Sequence, residues 1–551
     1  MEKHGSKGNI LDTDVLCVGG GISGLMAAIH ASELGARVIV AEKGNTLRSG
    51  SGGVGNDHFG AYLPEVHGPD PERFIRSKKK MMTRRGDSFV RSLVEKSTDI
   101  VKLWESWGIS FKYRGAYDCG GHGIPGLPNT HLHYNGLNQK SVLTKEALKR
   151  GVEIINRSMV FELITNGGVI GAIAADTRKG DLLGIRAKSV FLGTGRCMRL
   201  YPGPTPGWMF NLDFPPSLTG DGRAMAFRAG AELVDMEFFR RRAGLKYFAR
   251  SGGGTWVGVL RDPQGKPVGP FLSKPEKRYG DPVRRMPEVF QDYIQQGKGP
   301  IYMDCRGISE DAYEYFFHWL EQEGNVGTIN ELKEEGIDLR KDPVEFTIYE
   351  IDSMGGLYYN QKGETSLKGL YAAGDEYPGP VMVGAATFGW IAGESAARYS
   401  QALGSPHKEE REKIEAVIRE KERLIADIKG REDGPSWEEV NIALQQIMYD
   451  YAGEIRSEAL LDAGLTYVQR LRNKAYSTMV AENAHELMHC LEVLNLIDLG
   501  EAVFVAAKER KETRGTHRRS DYPITNPLME KMLFVKKIGD NIVTEWREFE
   551  S

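Results

Sequence analysis

The 551-residue chain is 40% apolar and 27% charged, which excludes a disordered chain and a coiled coil and leaves length for about three to five domains around a large core. Its 72 Lys and Arg against 75 Asp and Glu give a formal net charge of −3, so no basic field argues for nucleic acid. Glycine is the outlier at 66 residues, about 12% against an average near 7%, clustered in short runs without a Gly-X-Y period, as where backbone must approach backbone or a ligand closely.

Cys17, Cys119, Cys197, Cys305 and Cys490 lie far apart with no CxxC pair. That predicts reduced thiols and neither an iron–sulfur cluster nor a metal site within the chain. The opening MEKHGSKGNILDTD lacks a signal-peptide apolar region, and no uninterrupted apolar run is long enough to span a membrane. A soluble cytoplasmic protein without membrane insertion is expected.

In chain order, Val15–Val18 reads as a buried strand running into Gly19-Gly20-Gly21-Ile22-Ser23-Gly24, a GxGxxG at Gly19, Gly21 and Gly24. Leu25, Met26, Ala28 and Ile29 give a helical pattern that ends near Gly35. Val38–Val40 is the next strand, with Glu42 at its end and Lys43 beside it. This is a dinucleotide-binding βαβ unit. Its glycines let a pyrophosphate sit against bare backbone at a positive helix end, and Glu42 can accept both hydroxyls of an adenosine ribose. The motif alone leaves NAD and FAD open. The following Arg48-Ser49-Gly50-Ser51-Gly52-Gly53-Val54-Gly55 leans toward FAD, because Ser49, Gly50 and Gly53 belong to a stretch too long for a simple turn and suited to packing along an extended cofactor.

Further on, His122, His131 and His133 are candidate acid–base groups. Residues 142–165 read as a helix and a strand, and 168–181 as part of a small antiparallel meander. Residues 187–195 read as a strand delivered into a second glycine turn at Thr194-Gly195. Thr219-Gly220-Asp221-Gly222 opens another helix. Residues 238–344 break the βαβ rhythm and carry Arg240, Arg241, Arg242, Arg261, Arg278, Arg284 and Arg285, with a helix predicted from Glu310 to Glu323 capped by Ser309. At most two of the three successive arginines can point inward. Met354-Gly355-Gly356 precedes a predicted hairpin, and Gly369–Asp375 a further glycine junction. Gly384-Ala385-Ala386-Thr387-Phe388-Gly389 starts a small-residue helix whose amides a planar ring can approach. Residues 407–429 read as a charged helix with one apolar stripe, and 437–511 as an antiparallel helical bundle.

The Gly19–Glu42 unit, TGDGRAMAFRAGAELVDMEFF (219–239), MGG (354–356), GLYAAGD (369–375) and ETRGTHRRSDYP (512–523) span nearly the whole chain. Together they resemble the flavoprotein subunit of the succinate dehydrogenase/fumarate reductase superfamily. Gly297–Asp304 and Arg48-Ser49-Gly50 look most like the adenylylsulfate reductase alpha subunit. The resemblance implies an α/β FAD-binding Rossmann-like domain (9–237 and 345–405) interrupted by an α+β capping domain (238–344) and followed by a C-terminal helical region (406–551). It implies that Gly19, Gly21 and Gly24 meet the FAD pyrophosphate and Glu42 the ribose. Thr194, Gly195 and Asp221 would line the cofactor, Asp375 would bind the ribityl chain, and the backbone at Ala385, Ala386 and Thr387 would face the flavin pyrimidine. It also implies that 512–523 returns to the flavin domain, so that Arg514 or His517 reaches the active-site side or serves in structural ion pairs.

The chain departs from that pattern at several positions. Gly50 stands in the neighbourhood of the histidine that tethers flavin in covalent relatives, with His58 eight residues on, so noncovalent FAD is expected. The histidine before MGG aligns with Ile351, the arginine of the family's RLG stretch with Met382, and the RD pair of the cap with Gly280-Asp281. These losses argue against succinate or fumarate. The remaining candidates for catalysis are Arg240, Arg242, Arg285 and His122, around a small anionic substrate. The expected activity is that of an FAD-dependent oxidoreductase exchanging electrons with a ferredoxin-like iron–sulfur partner. A flavin-loaded transfer subunit without substrate chemistry, adenylylsulfate reductase-type activity and a self-contained flavoenzyme remain open.

Overall fold

The computed structural model describes residues 10–82, 84–119, 130–203, 209–210, 212, 214–246, 256–268, 274–275, 293, 296–379, 381–404 and 408–550. Within them, a seven-stranded sheet forms the first layer. Its order is 153–156, 38–42, 10–18, 182–192, 169–176 and 158–165, and 370–372 pairs with the last residues of 182–192. Ile10–Val18 runs parallel to both neighbours, with Val15 opposite Val38 and Ser189. Such a strand is covered on both faces, which is why Val15, Leu16 and Cys17 are wholly buried. The expected meander is the antiparallel set 158–165, 169–176 and 182–192.

The helix Ile22–Glu33 follows the first strand and crosses the helix Val381–Ala402. Two glycines set that crossing. A Cβ on Gly389 would stand 2.5 Å from the Ser23 carbonyl oxygen, and one on Gly393 2.4 Å from that of Ala27. The small residues of the second helix therefore serve helix-to-helix approach along their length, a use sequence reading did not separate from ligand approach.

The cap is a four-stranded antiparallel sheet of order 239–245, 344–353, 301–304 and 259–261. It packs on the helices Glu310–Gln322 and Val326–Glu334 through Leu245, Trp256, Ile301, Phe316, Leu320 and Phe346. Ser309 caps the first helix as predicted, its hydroxyl accepting from the Ala312 N–H at 3.3 Å.

Helices Trp437–Ala452, Glu458–Thr478 and Ala484–Glu509 form the C-terminal bundle. The chain does not stay helical to its end. Met532–Ile538 and Asn541–Arg547 form a hairpin that pairs with Leu233–Val234, itself paired with Gly356–Leu357. A Gly539-Asp540 turn between alternating runs was the available signal, and Gly539 has a φ of +58°. The 512–523 segment is tied down by buried ion pairs. Arg510 meets Glu237 at 2.6 Å and Glu512 at 2.8 Å, and Arg514 meets Glu512 at 2.7 Å. Arg510 thus ties the bundle to Glu237, whereas Arg514 and His517 bond within the C-terminal region and do not line the cavity described next.

Candidate active site

The turns at the ends of the central strands and the inner edge of the cap enclose one cavity of about 340 Å³, within the size range of small-molecule sites. Gly19 has a φ of +89°, and a Cβ there would sit 2.6 Å from the Gly193 carbonyl oxygen, so the two strand-end turns meet backbone to backbone. Gly24 lies outside the wall but shapes it, since a Cβ would fall 1.9 Å from the Gly19 carbonyl oxygen. Gly19, Gly21, Ser49, Gly50 and Gly195 line the cavity; Gly53 instead packs under it against the Arg48 carbonyl.

Glu42 also lines the cavity and is held by two backbone donors, Gly20 N–H to Oε2 at 2.7 Å and Gly44 N–H to Oε1 at 2.6 Å. Its carboxylate is thereby oriented where the dinucleotide motif puts a ribose. Lys43 reaches Asp221 at 2.8 Å and Glu492 at 2.6 Å. Burial alone would lower the pKa of its ammonium, but the two carboxylates outweigh it and hold the group above its ordinary value. Asp221 accepts from Asn495 and Thr219 as well, so its main work is to fasten this wall to the C-terminal bundle. Thr194 donates through both its N–H and its hydroxyl to Glu376, at 2.5 and 2.7 Å. Burial pushes the Glu376 carboxyl above the usual range, against the lowering effect of Thr194.

At the other end, Asp375 and Ala385 line the cavity, whereas Ala386 and Thr387 are buried behind it. Arg196, which sequence reading missed although it follows Gly195, pairs with Asp375 at 2.9 Å and with Asp352 at 2.6 Å. Arg240 lies in the wall and meets the same Asp352 oxygen at 2.7 Å. Arg241 turns away to Glu454 at 2.7 Å, as alternation along the strand Phe239–Leu245 requires. The Arg242 side chain, Arg278, Arg284, Arg285 and His122 lie outside the described residues. His133 is fully buried, stacked on Trp319 with ring centroids 4.1 Å apart, and its Nδ1 donates to the Asp57 carbonyl at 2.9 Å, a structural placement. His485 stands in the wall, as does His58, which is accompanied by Glu323 and Asn325 from the cap. Nothing local in the sequence marks the last three as neighbours, because they come from segments more than 260 residues apart.

The wall fits FAD by its own chemistry. Bare backbone lies at one end, and a carboxylate stands at the ribose position. The buried Ser49 hydroxyl has no partner within the protein. Among the described residues the cysteines form no disulfide and no helix is long and apolar enough to cross a membrane.

Comparison with known proteins agrees with this geometry. A family model described as "FAD binding domain" matches residues 14–384, and one described as "Fumarate reductase flavoprotein C-term" matches residues 441–538. One component of the fumarate reductase (CoM/CoB) of Methanothermobacter marburgensis is 26% identical, covering 96% of this chain and 98% of that protein. The L-aspartate oxidase of Vibrio cholerae is 24% identical over 93% and 96%. Among solved structures, adenylylsulfate reductase from Archaeoglobus fulgidus superposes with a TM-score of 0.83 at 22% identity, covering 98% of this chain and 96% of that one. A variant of the quinol fumarate reductase protein FrdA of Escherichia coli gives a TM-score of 0.82 at 21% identity over 98% and 97%.

Proposed function

The chain belongs to the FAD-binding flavoprotein family of the succinate dehydrogenases and fumarate reductases, and on that premise we propose that it is the flavoprotein subunit of a redox complex. In this reading it holds FAD noncovalently and passes electrons between a small anion and an iron–sulfur partner. The observation that carries the reading is that a single cavity is lined both by cofactor-facing turns and by the cap residues Arg240, Glu323 and Asn325. A second molecule can therefore be enclosed against the cofactor.

Bound FAD would supply two-electron exchange with an organic or sulfur substrate and one-electron exchange with an iron–sulfur centre. Gly19, Gly21 and Gly195 would take its pyrophosphate, and Glu42 its adenosine ribose. Asp375, held by Arg196, would meet the ribityl chain, and the start of the helix Val381–Ala402 would lie against the ring system. By the resemblance, the wall residues Gly50 and Met382 lie in the neighbourhood of the tethering histidine of covalent relatives and at the position of a substrate arginine. The first supports noncovalent FAD, and the second supports a substrate other than succinate or fumarate. It equally favours a second reading, adenylylsulfate reductase-type activity or electron transfer without substrate chemistry.

Natively purified protein, alone and together with the products of its neighbouring genes, tests these. Bleaching of the flavin by a small anion supports the substrate reading, and bleaching only by reduced ferredoxin supports the transfer reading. Flavin retained on an acid-precipitated pellet would reject noncovalent binding, and protein that never carries flavin would reject both.

A further inference from the structure

One group of side chains at the cap end of the cavity is given no part in holding the cofactor by the reading above. His58 Nδ1 lies 2.5 Å from Asp57 Oδ1. A carboxylate only accepts, so Nδ1 carries the proton and the ring is fixed by its neighbour. Asp57 is wholly buried, and its carbonyl accepts from His133. From the cap, Glu323 brings its carboxylate to the same place, and the donor atoms of Asp57, His58 and Glu323 all lie within 4.8 Å of one another. Asn325, two residues on, is 4% exposed and lines the cavity, yet neither its amide nitrogen nor its amide oxygen has a partner in the protein. Leaving a buried amide unpaired is costly, and its place in the wall points to a ligand. The 2.5 Å approach is that of a hydrogen bond, since ligands of one shared cation bound at about 2.0–2.1 Å stand roughly 3 Å apart.

We propose that Asp57, His58, Glu323 and Asn325 form a proton-coupled recognition site for a small oxyanion, in which His58 takes up a proton as the anion binds and Asn325 hydrogen-bonds it. The proposal rests on the reading that a substrate sits between cap and cofactor. An anion entering beside Asp57 and Glu323 adds negative charge, which favours the imidazolium over the neutral ring. The proton comes from solvent to His58 Nε2, and no bond of the anion is made or broken. Around His58 stand Asp57, Glu323 and the ring of His131, 5.4 Å away by centroid, with the phenols of Tyr134 and Tyr315 near Asp57 and Arg240 farther along the same wall.

Calorimetric titration of the FAD-loaded full chain with malonate, sulfate and phosphate, each in buffers of different ionisation heat near neutral pH, tests this directly. At least one anion should bind with uptake of about one proton. His58→Gln should reduce the uptake to near zero, and Asn325→Ala should weaken binding about tenfold while keeping it. Asp57→Asn should keep binding but move the uptake to lower pH. Should H58Q not accumulate as folded protein, N325A and D57N carry the test. Failure of all three anions to bind overturns the proposal, as does unchanged uptake in H58Q or full-strength binding with unchanged uptake in both N325A and D57N. One-to-one binding of zinc to the metal-free protein, lost in H58Q, would identify a metal site and overturn it too. Protein isolated without flavin would defeat the functional reading separately, and anion titration of that flavin-free chain would still report on His58.

Discussion

Arg456 donates from Nη1 to Nδ1 of His517 across 3.0 Å, while the same ring donates from Nε2 to the Arg510 carbonyl at 2.9 Å. Burial and then the Arg456 charge hold the His517 pKa well below its ordinary value of 6.5. Below that value the unfolded chain binds a proton that the folded ring refuses, so the stability this neutral ring contributes is lost as pH falls through the window beneath 6.5. The slope is about 1.4 kcal/mol per pH unit. Urea unfolding on either side of that window should show wild type losing more stability in acid than His517→Gln. Equal losses would show that the ring is protonated in the folded state.

Gly24→Ala should empty the cofactor site. Its new Cβ would lie 1.9 Å from the Gly19 carbonyl oxygen, forcing the first helix away from the strand-end turn. The dissociation constant for FAD, read from flavin fluorescence, should rise about tenfold or more, the factor given by about 1.4 kcal/mol of lost binding, and the colour of the gel-filtered protein should fall with it. A variant that keeps its full yellow colour would mean that this turn does not set the cofactor wall.

Asp352 compensates two guanidinium groups, those of Arg196 and Arg240. Asp352→Asn leaves both in a largely buried setting and should cost about 3–5 kcal/mol of stability. Arg240→Met removes the more exposed of the pair, with 24% of its side chain accessible, and leaves the Arg196–Asp352 contact in place. It should cost clearly less. Denaturant midpoints of the two variants supply the comparison, and the reverse ranking would refute it.

Thiol labelling should be graded. Cys17, Cys197, Cys305 and Cys490 are buried, and burial pushes the thiols of Cys197, Cys305 and Cys490 up to about 12 and that of Cys17 higher still. Only Cys119 is partly exposed. Ellman's reagent should therefore label one thiol per native chain quickly and all five after denaturation without reductant. Fewer than five under denaturing conditions would reveal a disulfide.

Where physics writes itself into residue type, sequence alone went far. Gly19 and Gly24 had to be glycine for backbone to meet backbone, and Glu42 ends a buried strand with a charge that only a ligand or a turn can use. The cap helix announced itself through Ser309 and its apolar spacing. The cap end of the site did not. His58 follows Asp57 in an unremarkable loop, and Glu323 and Asn325 sit at the end of a surface helix; only the closure of the cap onto the cofactor layer makes them one group. The last hairpin was hidden because its partner strand, Leu233–Val234, lies about 300 residues upstream, so its stability is a property of tertiary pairing.

The Lys43–Glu492 contact reaches from the end of the second strand to the long helix Ala484–Glu509. Glu492 is fully buried and also neutralises Arg199 at 2.8 Å. A shortened chain ending before residue 484 would take the Glu492 carboxylate from buried Arg199 and leave Lys43 with Asp221 alone. The helical region is thus no detachable appendage, and expressing the α/β layer by itself should yield insoluble protein.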